Sequence, residues 1–313
     1  MADLPRISIV INSFNQADYL EQTLHSVIEQ NYPNLELLVV DGGSTDGSVE
    51  IIQRYAEHIT WWITEKDSGQ ADGINKGLRH ATGEVTAWLN SDDFYYPGAV
   101  QQAAEAFLNH PEAGLIYGDV MAVDASGKPF HRMKTGDVDV EGLMTFHILN
   151  QPAVFMRRSI LKSAGVLDPS YHYLLDHQLW LRIAVRSRVV HIPKLWAAGR
   201  FHPAAKNVAR AADFGAEAFR IADWLFRDPY ASARAETLAP SIRAGAYRMD
   251  ARYLLDSGAS KQALASYWKG FLSDPMVVLP ETHRMLYTVL SLAGLSSLKK
   301  VYLRLRALIH PVR

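Results

Sequence analysis

Val85-Thr86-Ala87-Trp88-Leu89-Asn90-Ser91-Asp92-Asp93 is the stretch that decides how this chain folds. Val85 to Leu89 has the length and apolar character of a buried strand, and it passes without a break into paired carboxylates. Two adjacent acids at the end of such a strand repel each other and lose solvation, so a compensating positive charge is expected beside them. In an open α/β sheet the carboxyl ends of the strands are also where ligands bind. A divalent cation carrying a diphosphate suits the pair, because hard oxygen ligands favour Mg²⁺ or Mn²⁺. The competing reading is a turn in which Asp92 or Asp93 caps a helix starting near Pro97.

Upstream, strands and helices alternate. Ile7 to Ile11, Leu35 to Val40 and Ile59 to Ile63 read as strands. Leu20 to Gln30, Ser48 to Tyr55 and Gln70 to His80 read as helices, the first from Leu20, Leu24, Val27 and Ile28 at helical spacing. Repeated βα units predict a mainly parallel sheet flanked by helices, an α/β fold. Gly114 to Val123 reads as a further strand, with Ser126-Gly127-Lys128-Pro129 as the turn into a returning one.

The strand ends carry the candidate chemistry. The first strand runs into Asn12-Ser13-Phe14-Asn15, and the second into Asp41-Gly42-Gly43-Ser44. Asp41 is suited to accept hydrogen bonds from a base or ribose, and the glycines let backbone approach a ligand closely. A glycine-rich turn with Asp41 or Ser44 capping a helix is the plain alternative. The first turn lacks the glycine fingerprint of a dinucleotide fold, which argues against nicotinamide and flavin cofactors.

Composition narrows the classes. The chain has 313 residues, a formal net charge of -1 and no cysteine. That balance leaves no electrostatic footprint for nucleic acid, and there is no thiolate chemistry or disulfide framework. Met1 to Arg6 does not read as a signal peptide, and Met285 to Leu298 is too short and too polar to span a bilayer. The expectation is a cytoplasmic protein, with peripheral contact at the inner face of the membrane as an option through its tail.

Taken together, Ser13-Phe14-Asn15, Val39 to Gly47, Asp72-Gly73-Ile74-Asn75-Lys76-Gly77, Ala81-Thr82-Gly83-Glu84 and Leu89 to Asp93 resemble glycosyltransferase family 2 over roughly residues 5–205. The resemblance implies a GT-A fold, a nucleotide-sugar donor, Mn²⁺ or Mg²⁺, and inversion at the anomeric carbon. It implies that Asp41 binds the nucleobase edge, with Ser13, Phe14, Asn15 and Gly42 around it. Asp72, Asn75 and Lys76 would sit near ribose or diphosphate, Asp92 near ribose or donor sugar, and Asp93 on the metal. The chain departs from one common form of the acidic cluster by carrying Asn90 at its leading position. The family's general base matches Asp176 in Leu174-Leu175-Asp176-His177-Gln178-Leu179-Trp180-Leu181-Arg182, where Leu175 replaces a frequent Glu. Helix capping is the alternative for Asp176. Arg200-Phe201-His202-Pro203 and Lys206 resemble the segment that closes over the site, with His202 as a metal ligand and Arg200 or Lys206 on the leaving diphosphate. Gln151, His172 and His177 are candidate acceptor contacts, and Phe130 to Leu149 is the expected acceptor-facing loop.

The expected donor is a UDP-sugar, with GDP- and dTDP-sugars as alternatives, and the expected acceptor is a saccharide or lipid-linked sugar in cell-surface polysaccharide synthesis. Residues 1–205 would form the catalytic domain and 206–313 a helical region. Within the latter, Tyr253-Leu254-Leu255, Gly258, Ala263-Leu264, Tyr267 and Asp274-Pro275 resemble one tetratricopeptide-type helix pair. The tail sets Leu286, Val289, Leu290, Leu292, Leu298, Val301 and Tyr302 beside Arg284, Lys299, Lys300, Arg304 and Arg306. That basic amphipathic pattern suits anionic headgroups or, alternatively, a helix laid over the core. A sugar-nucleotide pyrophosphorylase lacks support because no glycine follows the first strand, and a non-catalytic scaffold is opposed by the set Asp41, Asp92, Asp93 and Asp176.

Overall fold

The first four strands lie side by side and parallel, with their carboxyl ends in line. In the computed structural model, which describes residues 4–202 and 213–292, these are β1 Ile7–Ser13, β2 Leu35–Asp41, β3 Trp61–Thr64 and β4 Val85–Asn90, in the order β3-β2-β1-β4. Register sets Ser13 beside Asp41, Asp41 beside Thr64, and Asn12 beside Asn90. The helices α1 Ala17–Ile28, α2 Ser48–Arg54 and α3 Gln70–His80 supply the crossovers. Isoleucine, leucine and valine fill β1, β2 and β4 because a parallel sheet covered on both faces leaves no water-facing side.

The sheet then turns antiparallel. After β5 Phe94–Tyr95 and α4 Ala99–Asn109 come β6 Ala113–Val123, β7 Pro129–Met133, α5 Val140–Met144, β8 Val154–Arg157, α6 Arg158–Ala164, α7 Leu175–Ala184 and β9 Arg188–Arg200. β8 pairs antiparallel with both β4 and β6, β9 runs parallel to β6, and β5 closes on β9. The turn at Ser126-Gly127 feeds β7 as the sequence predicts, but Phe130 to Leu149 is not one loop. It contains most of β7 and a helical turn, and residues 141–147 group with the carboxyl-terminal unit.

Contacts divide the described residues into two units, 4–140 with 148–201, and 141–147 with 202 and 213–292. The second unit is helical: α8 Phe214–Leu225, α9 Ser232–Thr237, α10 Ala239–Asp256, α11 Ser260–Ser273, α12 Pro275–Val278 and α13 Thr282–Leu292. Its core joins Ala244, Ala251, Tyr267 and Val278. Arg248 is buried and donates to the carbonyls of Thr145, Phe146 and Val277. Among the described residues no helix is long and apolar enough to cross a membrane. Lys206 and the tail positions from Leu298 onward lie outside the described residues.

Candidate active site

The aligned ends of β1 to β4 form one edge of the first unit, and most of the sequence-predicted site residues lie along it. Ser13 ends β1 buried, and its Oγ finds no hydrogen-bond partner among the described residues, as does the Oδ1 of Asn12. A buried hydroxyl left unpaired is costly unless a ligand completes it. Phe14 follows, 58% exposed, and offers a flat apolar face at this edge. Asn15 takes a left-handed backbone (φ 52°) and ties the two loops together, accepting from the Thr45 amide at 2.9 Å while its own amide donates to Ser44 Oγ at 2.8 Å.

Asp41 differs from the sequence expectation. It is wholly buried, and its carboxylate accepts from the amides of Gly43 and Ser44 and the hydroxyls of Ser44 and Thr64, at 2.5–3.0 Å. It shapes the Gly42–Ser44 turn, and a base could reach it only by replacing one of those donors. Gly42 lets two side chains come close: an added Cβ would stand 2.7 Å from Asp67 Oδ2 and 3.3 Å from the Phe14 ring, and both would have to shift. Asp67 is a site residue the sequence reading missed. Its Oδ2 lies over both Gly42 and Gly73, with Oδ1 accepting from the Gly69 amide. The available signal was position, since Asp67 follows β3 as Asp41 ends β2 and Asp92 follows β4.

On α3 the predicted residues have two different fates. Lys76 faces the edge but pairs with Glu65 at 2.7 Å and Asp72 at 3.7 Å, and the Glu65 contact raises its pKa. Asp72 also accepts from the Ser68 amide. Asn75 is engaged within the fold. It is buried, donates to the Leu167 carbonyl at 2.8 Å and accepts from the Leu167 amide at 2.9 Å. Both ends of its amide take part in fastening the loop at Leu167.

The acidic cluster is electrostatically loaded. Asp93 is buried, with Oδ1 accepting from the Arg200 amide at 2.9 Å and Oδ2 from Asn90 at 3.3 Å. Burial first, and the neighbouring Asp92 charge second, push its carboxyl well above the usual carboxylate range. Asn90 is the hub: its amide also donates to Gln151 Oε1 at 3.1 Å and accepts from Gln70 at 3.0 Å. Gln151 in turn donates to the Trp88 carbonyl at 2.8 Å, which holds it at the end of β4. An aspartate at 90 would set a third carboxylate against Asp93, which accounts physically for the amide found there.

No group of three or more histidine or acidic ligands comes together among the described residues. Asp92 and Asp93 still fit a hard divalent cation, which is commonly held by one or two carboxylates and completed by waters and phosphate oxygens. A cation there would offset the burial and the Asp92 repulsion that raise the Asp93 carboxyl. His202 is buried and belongs to the second unit.

Arg200 is engaged within the fold. Its side chain donates to the carbonyls of Asp92, Asp124 and Ala125 and to Gln22, and its guanidinium lies over the rings of Tyr19 and Phe94. With the residue only 6% exposed, it clamps the acidic turn from behind and spends most of its N–H groups within the fold. His177 is fully buried and so is out of reach of an acceptor, whereas His172 is exposed.

Asp176 stands in the first turn of α7, half-buried, and is not the cap, a place taken by Leu174. The helix is anchored to β4 by the stacked rings of Trp180 and Trp88, 5.0 Å apart. Asp176 is one helical turn before Trp180 and therefore on the face that meets β4.

Comparisons with known proteins bear on family and fold. A profile of glycosyl transferase family 2 matches residues 8–165. The chain is 29% identical over 196 residues to a PGL/p-HBAD biosynthesis glycosyltransferase of Mycobacterium bovis, covering 60% of this chain and 75% of that one. Against uncharacterised glycosyltransferases of Rickettsia it spans 65% of the relative's length or less. In structure it is similar to S. aureus TarS 1-349 in complex with UDP-GlcNAc, with a TM-score of 0.63 at 16% identity, over 89% of this chain and 91% of that one. It is also similar to a mannosyltransferase from Pyrobaculum calidifontis in complex with GDP-Man and Mn²⁺, with a TM-score of 0.61 at 21% identity, over 94% and 88%. The fold is accordingly GT-A-like, a mixed sheet flanked by helices and followed by a helical region. The chain belongs to glycosyltransferase family 2.

Proposed function

We propose that this protein is an inverting glycosyltransferase that moves a sugar from a nucleoside-diphosphate donor to a hydroxyl of a saccharide or lipid-linked acceptor. The observation that carries this reading is the common edge formed by β1 to β4, where exposed Phe14, the unpaired hydroxyl of Ser13 and the strained Asp92–Asp93 pair stand together. A nucleobase would cover Phe14, and Ser13 would gain the partner it lacks. UDP is the favoured nucleotide, with GDP and dTDP as alternatives; structural neighbours crystallised with UDP-GlcNAc and GDP-Man keep both classes open.

A divalent cation held by Asp93 with Asp92 would supply positive charge to the leaving diphosphate, and the neighbour containing Mn²⁺ supports that choice of ion. Asn90 fixes the rotamer of Asp93 and, with Gln151, closes the end of β4. Asp176 takes the proton of the acceptor hydroxyl as that oxygen attacks the anomeric carbon opposite the departing nucleotide. His172, exposed near that helix, is available to the acceptor. Lys76 reaches a phosphate only by leaving Glu65, so its part is one of exchange between partners. The M. bovis relative's name supports a place in cell-envelope glycan or glycolipid synthesis. A divalent-cation-dependent release of nucleoside diphosphate from a sugar-nucleotide panel tests the reading. Release from one donor class, lost on chelation, supports it; no turnover of any donor with saccharide or lipid-linked acceptors present contradicts it.

A further inference from the structure

The helical unit exposes apolar surface that its own core does not use. α11 buries Ala263, Ser266, Tyr267 and Gly270 on one face. On the opposite face Lys261, Ala265, Trp268 and Leu272 follow at three- and four-residue steps, and Met276 continues the stripe onto α12. Trp268 is 58% exposed, Leu272 67% and Met276 75%. Trp268 also stacks on Phe271, which widens the surface. Isolated exposed hydrophobic residues need no explanation, but a tryptophan, leucine and methionine in successive turns mark a face that meets something.

Charge indicates what it meets. α11 carries Lys261 and Lys269 and no acid. From Ser257 to the last residue the only acids are Asp274 and Glu281, and both are engaged within the unit. Asp274 accepts from the Met276 amide and Ser241, and buried Glu281 is held by Arg252 and Tyr267. Past Glu281 the sequence adds Arg284, Lys299, Lys300, Arg304, Arg306 and Arg313. A second copy of this face would set these lysines against their own equivalents, since an isologous contact repeats the same patch. A surface with negative headgroups over an apolar layer matches both properties, with tryptophan at the boundary and lysine stems reaching outward.

We propose that the α11–α12 face docks on an anionic lipid surface, with Trp268, Leu272 and Met276 entering the headgroup boundary and Lys261 and Lys269 meeting phosphates. The inference is independent of transfer activity. The test is sedimentation of the full chain with phosphatidylcholine vesicles, with and without phosphatidylglycerol, for wild type and W268S/L272S. Wild type should pellet with the anionic vesicles, and the double variant should lose partitioning by about 10-fold or more at an unchanged melting midpoint. Met276→Gln, at the most exposed position, gives the same reading in smaller measure should the double variant melt early. Absence of wild-type pelleting, or equal pelleting of wild type and variants, overturns the proposal. So does a variant with Lys299, Lys300, Arg304 and Arg306 changed to Gln that alone loses binding, which would assign the contact to the tail. A dimer by sedimentation equilibrium that W268S/L272S makes monomeric would assign the face to self-association instead.

Discussion

Asp93 is the residue whose chemistry the fold biases most. Burial, and then the Asp92 charge, hold its carboxyl well above the ordinary range. The stability this group contributes is full at acid pH and is lost as pH rises through its folded-state pKa. Asp93→Asn removes that ionisation. The melting midpoint of wild type should therefore fall relative to the variant as pH rises, and parallel curves would contradict the assignment. Cation binding needs the ionised form, so metal affinity should climb over the same window. Asp176 gives a second prediction. Asp176→Asn should leave nucleotide binding near wild type and lower turnover by about 10²–10⁴, the range for a lost general base; wild-type turnover in that variant would refute the role. Residue placement was legible where sequence position alone sets it, as at Ser13, Phe14, Asp92 and Asp93, which follow or end the strands that the sequence predicts. It was incompletely legible at Asn75 and Arg200, whose polar atoms hold partners remote in the chain, Leu167 in one case and Asp92, Ala125 and Gln22 in the other. No local pattern reports such a partner, and a buried clamp and a phosphate ligand call for the same residue types.

At the scale of elements, the βα units were legible because parallel strands covered on both faces are apolar throughout and helices keep their period. α3 shows how tightly the two fit. Gly77 faces β1, and a Cβ there would lie 2.3 Å from Val10 Cγ1, 3.0 Å from Cγ2 and 3.2 Å from Cβ, so no rotamer of Val10 makes room. Alanine would gain about 1 kcal/mol in helix propensity, but overpacking typically costs about 1–3 kcal/mol and should prevail. Urea unfolding of Gly77→Ala should show a less stable protein, with Val10→Ala in the same chain restoring part of the loss; a stabilised single variant would refute this packing. The element hardest to read was β9. Pro193 and the Ala197-Ala198-Gly199 run argue against a strand, yet the register slips between Tyr117 paired with His191 and Asp119 paired with Leu195, which accommodates the proline in an irregularity. α4 and α6 carry no motif of their own and follow from the need to cover the sheet.

For the whole molecule, family membership and a donor-binding edge follow from the order of motifs along the chain, while the identity of sugar and acceptor does not. Side chains such as Asp67, which comes to lie over Gly42 and Gly73, meet only after folding. Net charge of -1 also hides a lopsided distribution, since no acid follows Glu281. The central claim is that the β1–β4 edge binds a nucleoside diphosphate together with a divalent cation. The most direct test is the melting midpoint of the full chain with UDP, GDP or dTDP, each with and without Mn²⁺. Saturation at about 100 times the dissociation constant adds roughly 2.7 kcal/mol, which moves the midpoint by several degrees in a protein of this size. A rise with one nucleotide that requires the cation is the predicted result; a folded chain whose midpoint no nucleotide moves, with or without metal, would contradict it.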